Sequence, residues 1–479
     1  MARQVFTDHL IVIWACIVFA STRWSWLCIR VLPFVGHRVF SLVIAIILFA
    51  YAIKIRGSRR YIVACALALV IVGSSEALDA WKNATTSSLG PYSGPAIVRS
   101  DSERFFGAQR IVLEVQGKRF EAIAYGMLGR RIRPRLMGEL VWVAGTRSSV
   151  RADRMRWLAP RHIVGSLALT SVSERWSFGA PLYRSANRIR QVLTRSADSM
   201  SASEASLFLG LIIGDDRNQP QSMRDAFRAA GLSHLVAVSG QNVAFVLIAL
   251  SPLLRRLGTW WRFTATIGAL GWFVVLTRIE PSVLRAGMMA ALAAFGFARG
   301  LDVSPKRMLS WAVICLVIID PMLAWSIGFA MSVGATAGLI VIAPWLTRFL
   351  DTGRWPKWFI QPLAATLGAQ LGVMPISAVV FHNAPVVGVI ANLLAVPVAG
   401  FIMLVGLPLG LISAVLPDQL IGVVMLPLEL AVRWVWWVAV VTEKMAFHGW
   451  VNIAGWLALA AVGMERWRRS HFLSTGMSE

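Results

Sequence analysis

The chain is short of charge, and shortest of acid. Only 15% of its 479 residues are charged, against about 25% in a typical soluble domain, and 47 Lys and Arg face 24 Asp and Glu. Cysteine is scarce. Cys16, Cys28, Cys65 and Cys315 all fall in apolar runs and form no CxxC pair. They read as small core hydrophobes, not as a disulfide framework or a thiolate metal site. The seven histidines are His9, His37, His162, His234, His382, His448 and His471. No two are spaced like HExxH, so no zinc site is expected. GxxxxGK(S/T) is missing, which excludes a P-loop ATPase. No metal and no cofactor are expected.

What is present is apolar length. The chain is 57% hydrophobic with a mean hydropathy of +0.64. Residues 39–55, 61–78, 232–254, 262–277 and 325–346 approach or reach the roughly 20 residues that cross a bilayer. The composition predicts a mainly α polytopic membrane protein with about 10–12 transmembrane segments in the lipid bilayer. The 21 Trp suit interfacial belts and helix packing. An apolar stretch starts near Leu10 without a small-residue cleavage site, so it is not read as a cleavable signal. The formal charge of +23 fits cytoplasmic Lys and Arg flanking the spans. Its sharper reading is a polyanionic partner, nucleic acid or anionic lipid.

Position favours the sharper reading. Residues 1–80 are expected to form N-terminal transmembrane helices. The basic loop KIRGSRR, with Lys54, Arg56, Arg59 and Arg60, should be cytoplasmic, which puts residues 81–175 outside. There strand patterning replaces apolar runs. Ile111, Leu113 and Val115 alternate with Val112, Glu114 and Gln116 before a turn at Gly117-Lys118, and GPAIVRS and GELVWVAGTR read as further strands. A small OB-like β-barrel is expected. Residues 81–180 hold 16 Lys and Arg against 7 Asp and Glu, and GRRIRPR places Arg130, Arg131, Arg133 and Arg135 in one loop. Long loops translocate largely regardless of charge, so topology does not account for this surplus. Residues 176–200 suggest an amphipathic interfacial helix with Arg184, Arg188, Arg190 and Arg195. Residues 201–465 form a second membrane region. The tail, 466–479, carries Arg466, Arg468 and Arg469 and is expected in the cytoplasm, as is the N-terminus.

Four polar groups interrupt the second region. Asp215, Asp216 and Arg217 close an apolar run, as a helix ending at the interface would or as a site would. Ser233, His234, Ser239, Gly240, Gln241 and Asn242 crowd GLSHLVAVSGQNVAF. Helix-to-helix polar contacts are one explanation, but so many polar groups favour a water-lined site. Arg285 follows Pro281, which suits a helix start or break. It either snorkels or faces a wet path. Gln370, Pro375, His382, Asn383, Pro385, Asn392 and Pro397 suggest broken helices lining a cavity, or ordinary kinks. A Ser239–His234 hydrolase pair lacks an ordered Asp and an oxyanion arrangement.

Five of these segments occur in an informative order: LFLGLIIGDDR, FRAAGLSHLVAVSGQNV, EPSVLRAGMMAAL, DPMLAWSIGFAMSVGATAGLIVIAP and QLGVMPISAVVFHNAPVVGVIANLLAVPVAG. Together they resemble the competence domain of the ComEC family of bacterial DNA-uptake channels, over roughly residues 200 to 410. The resemblance implies translocation of one DNA strand across the cytoplasmic (inner) membrane in natural transformation, with the external β domain receiving DNA. Its motif positions fall on Gly214, Asp215, Arg217, Gly231, Ser233, His234, Ser239, Gly240, Arg285, Asp320, Pro321, Gly328, Gln370, Pro375, Asn392 and Pro397. The sequence departs from the family at Gln241-Asn242, where a His often stands, and at Ala330, where a Gln often stands. No HxHxDH of the longer members' metallo-β-lactamase-like domain occurs, so nuclease activity is not expected.

Single-strand binding by an OB-like domain rests on cations and stacking. The expected DNA contacts are Lys118, Arg119, Arg130, Arg131, Arg133 and Arg135. Phe105, Phe106, Phe120 and Tyr125 are available for stacking, and Trp142 fits the barrel core better. The expected partners are single-stranded DNA, a DNA receptor outside and an ATP-driven helicase or DNA-binding protein inside, with a homo-oligomer left open. Energy would come from a partner or an ion gradient. A small-molecule or lipid-linked transporter and an intramembrane hydrolase are the alternatives.

Overall fold

The computed structural model describes residues 89–446 apart from 237–238, 352–354 and 382–384, with nine isolated positions between 12 and 83 and residue 452. The expected helices of residues 1–80, His382, Asn383 and the tail lie outside the described residues. The chain divides into two compact units, residues 1–191 with 250–330, and residues 192–249 with 331–479.

In the first unit, alternating burial builds a sheet. Six strands, β1 (Gly90–Val98), β2 (Glu103–Phe105), β3 (Ala108–Val115), β4 (Lys118–Ala124), β5 (Leu140–Ser149) and β6 (Ile163–Ser177), pair in the order β1-β5-β6-β4-β3-β2. Strand β1 also pairs with β3 at Ile97 and Val98, so the pairings return to the strand they started from. All are antiparallel except β4 with β6. Ile111, Leu113 and Val115 point inward as the alternation requires, beside Phe120, Val141, Val143 and Leu167. The β3–β4 turn falls one residue before the expected place. Val115 pairs with Lys118, and Gln116 and Gly117 both have positive φ, as a two-residue type I′ hairpin requires.

Three expectations fail here. Arg130 and Arg131 end a helix, Gly126–Ile132, where basic side chains suit the carbonyl end; they are not in a loop with Arg133 and Arg135. Phe120 is fully buried and cannot stack on a base. Trp142, expected in the core, is instead 45% exposed.

The same unit contains the helices Thr259–Leu276, Pro281–Ala298 and Pro305–Ile319, each packed on the next. Pro281 and Pro305 stand in the first turns of their helices, where a missing N–H costs nothing. A buried ion cluster joins sheet to helices. Asp101, in the β1–β2 loop, accepts the Met137 N–H at 2.8 Å and Arg278 Nε at 2.9 Å, with Arg190 3.3 Å away. Arg190 also donates to the Leu276 carbonyl at 3.1 Å. The helix Pro181–Ala197 therefore turns Arg190 inward, while Arg184, Arg188 and Arg195 are exposed.

The second unit holds Ala202–Ile213, Gln221–Ala229, Ser233–Val236, Lys357–Phe381, Gly388–Ser413 and Asp418–Lys444. Ser201 and Glu204 start the first of these with a reciprocal capping box, and Ser206 to Ile213 are all buried. Among the described residues, five helices are long and apolar enough to cross a membrane: Pro281–Ala298, Ile327–Leu350, Lys357–Phe381, Gly388–Ser413 and Gln419–Lys444. This is a multi-pass membrane protein. Of the two readings of Pro375 and Pro397, broken helices or ordinary kinks, the breaks are not seen. Lys357–Phe381 runs through Pro362 and Pro375, and Gly388–Ser413 through Pro397 and Pro408. Neighbouring helices in a membrane tolerate the lost backbone bond. The chain turns instead at Pro385, between these two helices.

Backbone contact fixes one helix pair. A Cβ on Gly334 would stand 2.6 Å from the Gly372 carbonyl oxygen, and one on Gly338 would overlap that of Gly368. Two Gly-xxx-Gly pairs thus meet face to face, beside a π-helical turn, Gly338–Ile342. Overpacking of this kind costs about 1–3 kcal/mol. Gly372→Val is expected to lower the melting temperature of the purified protein. Gly271→Ala, a helical site with open space around it, should leave it unchanged or raise it. Thermal unfolding of the two variants side by side checks this.

Candidate functional site

The basic face of the sheet is partly spent on structure. Arg131 donates to the Val172 carbonyl at 2.8 Å and to Glu174 at 2.9 Å. Arg135 lies over the Trp176 ring, 4.5 Å from its centroid, and 3.6 Å from the buried Glu139. Arg119 donates to the Arg161 carbonyl at 3.3 Å and faces Glu114 at 4.0 Å. Burial lowers its pKa. Lys118 is half-buried at the start of β4. Arg130 and Arg133 are exposed. The same region carries exposed rings at Phe106, Tyr125, Trp142, Trp157, Trp176 and Phe178. Arg110 lies over Phe105 at 4.9 Å. Trp157, Trp176 and Phe178 are not among the rings expected from the sequence, although SERWSF carries the last two beside Arg175.

In the second unit the polar motifs converge in two groups. The first forms around the end of Ala202–Ile213. Gly214 terminates that helix in the left-handed region, φ 68°, which favours glycine. Asp215 is buried and held by Arg217 Nε at 2.7 Å, and Arg224 donates to the Asp216 carbonyl at 2.6 Å. Asn242 is buried and gives its amide to the Leu211 and Ile212 carbonyls at 2.9 and 3.4 Å. Ser239 donates to Asn242 Oδ1 at 3.2 Å. Among the described residues no hydrogen bond joins Ser239 to His234.

The second group surrounds Gly388. Gly231, φ +71°, packs so closely that a Cβ there would lie 3.2 Å from Gly388 Cα and Pro385. Gln370 Nε2 is the nearest atom to a Cβ on Gly388, and buried Asn392 donates to the Gly388 carbonyl at 2.7 Å. The stretch carrying Ser233 and His234 is thus placed against the one carrying Gln370 and Asn392, well over a hundred residues further along the chain. Ser233, His234 and Gln241 are exposed, and Ser239 and Gly240 half-buried. Two amide oxygens, Gln219 Oε1 and Gln370 Oε1, are buried and accept no hydrogen bond from any described residue. Arg285 belongs to the first unit, buried in Pro281–Ala298 with Nη1 3.3 Å from Met289 Sδ.

These motifs fall within residues 211–466, over which the chain matches the family model described as "Competence protein". This chain is a member of the Competence protein family. It is 28% identical over 301 residues to the uncharacterized protein YcaI of Escherichia coli, covering 55% of this chain and 37% of the relative. It is 26% identical over 266 residues to ComE operon protein 3 of Bacillus subtilis, covering 54% and 33%. It is 25% identical over 274 residues to competence protein ComA of Neisseria gonorrhoeae, covering 52% and 36%. The alignments thus span about a third of each of these relatives. No solved structure matches. Among the described residues, no cluster of three or more His, Cys, Asp or Glu could hold a metal ion.

The sheet of this competence protein carries two carboxyls with opposite pH signatures. The hydrogen bonds from Arg99 hold Glu114 below the usual carboxylate range. Burial pushes Glu139 above it. Glu114 therefore contributes stability above the ordinary glutamate value of about 4.3 and loses it as pH falls through its lowered value. Glu139 contributes at low pH and loses its contribution as pH rises from that value through its raised one. Glu139→Gln should flatten stability on the neutral side of the ordinary value, and Glu114→Gln on the acid side. Protection of the β3 and β5 amides from hydrogen exchange, measured against pH, checks both.

Proposed function

We propose that this chain carries single-stranded DNA across the cytoplasmic membrane of a bacterium during natural transformation. The observation that carries the reading is the match to the Competence protein family over residues 211–466, which takes in both polar groups of the second unit. A basic sheet lies upstream in the same chain. We read that sheet as an OB-like barrel on the outer side. Its circular pairing, its single parallel pair and the helix Gly126–Ile132 between β4 and β5 support this. Arg130 and Arg133, with the rings of Tyr125, Trp142 and Trp176, supply cations and stacking faces for a strand. Lys118 and Arg119 lie at the β3–β4 turn, at the opposite end of β4 from the helix Gly126–Ile132. Arg131 and Arg135 hold the surface in shape.

In the membrane layer of the second unit the path is lined by Asp215, Asp216, Arg217, Ser233, His234, Ser239, Gln241 and Gln370, while Arg285 belongs to the first unit, buried in its own helix Pro281–Ala298. Gly240 gives the backbone room, and Asn242 and Asn392 brace the walls through backbone carbonyls. The buried oxygens of Gln219 and Gln370 support a wet path, because a buried acceptor left without a donor costs about 1–3 kcal/mol. In this reading the N-terminus and the tail are cytoplasmic and the helix at 176–200 lies at the interface. A DNA receptor outside and an ATP-driven helicase or DNA-binding protein inside complete the route, and the chain acts as a pore, not an enzyme.

The full chain in nanodiscs should bind a labelled single-stranded oligonucleotide with affinity falling steeply with salt. Arg130→Ala with Arg133→Ala should lower that log–log slope by about 0.7 for each phosphate that is no longer neutralised. Arg131→Ala should lower thermal stability. Affinity indifferent to salt and to the pair would overturn the assignment. In cells, deletion should leave DNA binding at the surface and abolish entry.

A further inference from the structure

The helices of the first unit gather cations at the end away from the sheet. Thr259–Leu276, Pro281–Ala298 and Pro305–Ile319 are joined by two short links, 277–280 and 299–304. The start of the first, the end of the second and the start of the third therefore lie together. At the opposite end the sheet matches the charges. Arg278 pairs with Asp101 at 2.8 Å, and Asp320 Oδ2 lies 2.9 Å from His162 Nε2. At this end they go unmatched. Arg255, Arg256, Arg262, Arg299, Lys306 and Arg307 stand there with one acid, Asp302. Among the described residues, Arg255, Arg256, Arg262 and Arg299 form no ion pair, and no oxygen accepts a hydrogen bond from their side chains.

Two of these arginines are crossed between helices. Arg262, in the first turn of Thr259–Leu276, lies over Phe297 of the next helix, 4.8 Å from the ring centroid. Arg299 caps that next helix and lies over Trp260 of the first at 5.9 Å and over Phe295 of its own at 5.4 Å. Phe263 and Phe295 meet edge to face at 6.1 Å. The rings hold each guanidinium by its charge. They offer no conventional acceptor, so its N–H donors are left for another ligand. Helix length sets the depth of this clasp. Pro281–Ala298 is a candidate membrane span of 18 residues, about 27 Å long at 1.5 Å per residue. A hydrocarbon core is about 30 Å thick. The end where Arg299 stands therefore falls at the headgroup layer, and Trp260 and Trp261 suit the same depth. The acceptors abundant there are phosphate oxygens.

We propose that Arg262 and Arg299 form a binding site for the phosphate of an anionic phospholipid, with Arg255 and Arg256 adding attraction for its net charge. A zwitterionic lipid offers the same phosphate but brings its own cation, which six cations facing one acid disfavour. Segregation of Lys and Arg to one side of a membrane accounts for charge at this end. It does not account for two guanidiniums held over rings of each other's helices, because topology requires no fixed geometry. Recognition of phosphate by a planar fork of donors does require it. Single-stranded DNA carries the same phosphate chemistry, and the depth of the clasp favours the lipid. The site stands whatever substrate the chain moves.

The test is photo-cross-linking of the full chain in nanodiscs doped with photoactivatable phosphatidylglycerol or its phosphatidylcholine analogue, with labelled peptides mapped by mass spectrometry. Phosphatidylglycerol should label residues 255–263 and 295–307 several-fold more than phosphatidylcholine. Arg262→Gln and Arg299→Gln should each lower that preference about fivefold, the effect of one basic residue near an anionic surface. A preference that survives both substitutions overturns the proposal. Inorganic phosphate in the buffer should leave the labelling unchanged, and competition by it would overturn the lipid as ligand. Displacement by a single-stranded oligonucleotide would overturn it in favour of nucleic acid. Oligonucleotide binding by the two variants is expected to match wild type, which separates this site from the DNA reading. If a variant does not fold, equal labelling of the wild type by the two lipids overturns the proposal without it.

Discussion

A chain this apolar places one demand on each polar group it carries at membrane depth: a partner must be found within the protein or in a wet path. The costs involved, a few kcal/mol for an unmet hydrogen bond and more for a bare charge, rival the stability of a whole domain. Asn242 and Asn392 meet the demand by giving their amides to backbone carbonyls. Asp101, Arg190 and Arg278 meet it as a buried cluster. Glu204, Arg433 and Glu429 meet it by sharing one cation. Each solution also ties together segments that are distant in sequence, so satisfying polarity and specifying the packing are the same event.

That economy separates architecture from transport. Side chains that end on carbonyls are bracing. Groups that remain exposed, such as Ser233, His234 and Gln241, or buried without a donor, such as Gln219 Oε1 and Gln370 Oε1, are the ones with capacity to meet water or a substrate. The same sorting applies to the sheet. Four of its six expected cations are occupied or partly buried, while Arg130 and Arg133 are exposed.

Much of this was legible where the physics is local. The alternation in β3 announced its buried face, Pro281 announced a helix start, and the five ordered segments announced the family that the comparison then established. What misled was also local. Gly126 and Gly129 hid a helix whose burial comes from packing on β3, β4 and β6. Pro375 and Pro397 suggested breaks because proline removes a backbone bond, yet both helices continue. Strand β6 was unread because its second half is exposed, and its pairing with β5 and β4 makes it a strand.

The sequence alone determined the solvent, a bilayer, through the length and spacing of its apolar runs, and it determined the basic character of the region before residue 180. It also carried the i, i+4 pairing of Glu429 with Arg433. Only the tertiary structure decided that Glu204, 229 positions away, joins that pair, that Gly231 meets Gly388, and that Arg131 and Arg135 serve the sheet. Periodicity reports which face of an element is apolar, whereas hydrogen bonds and ion pairs are settled by distances between elements, which no local pattern encodes.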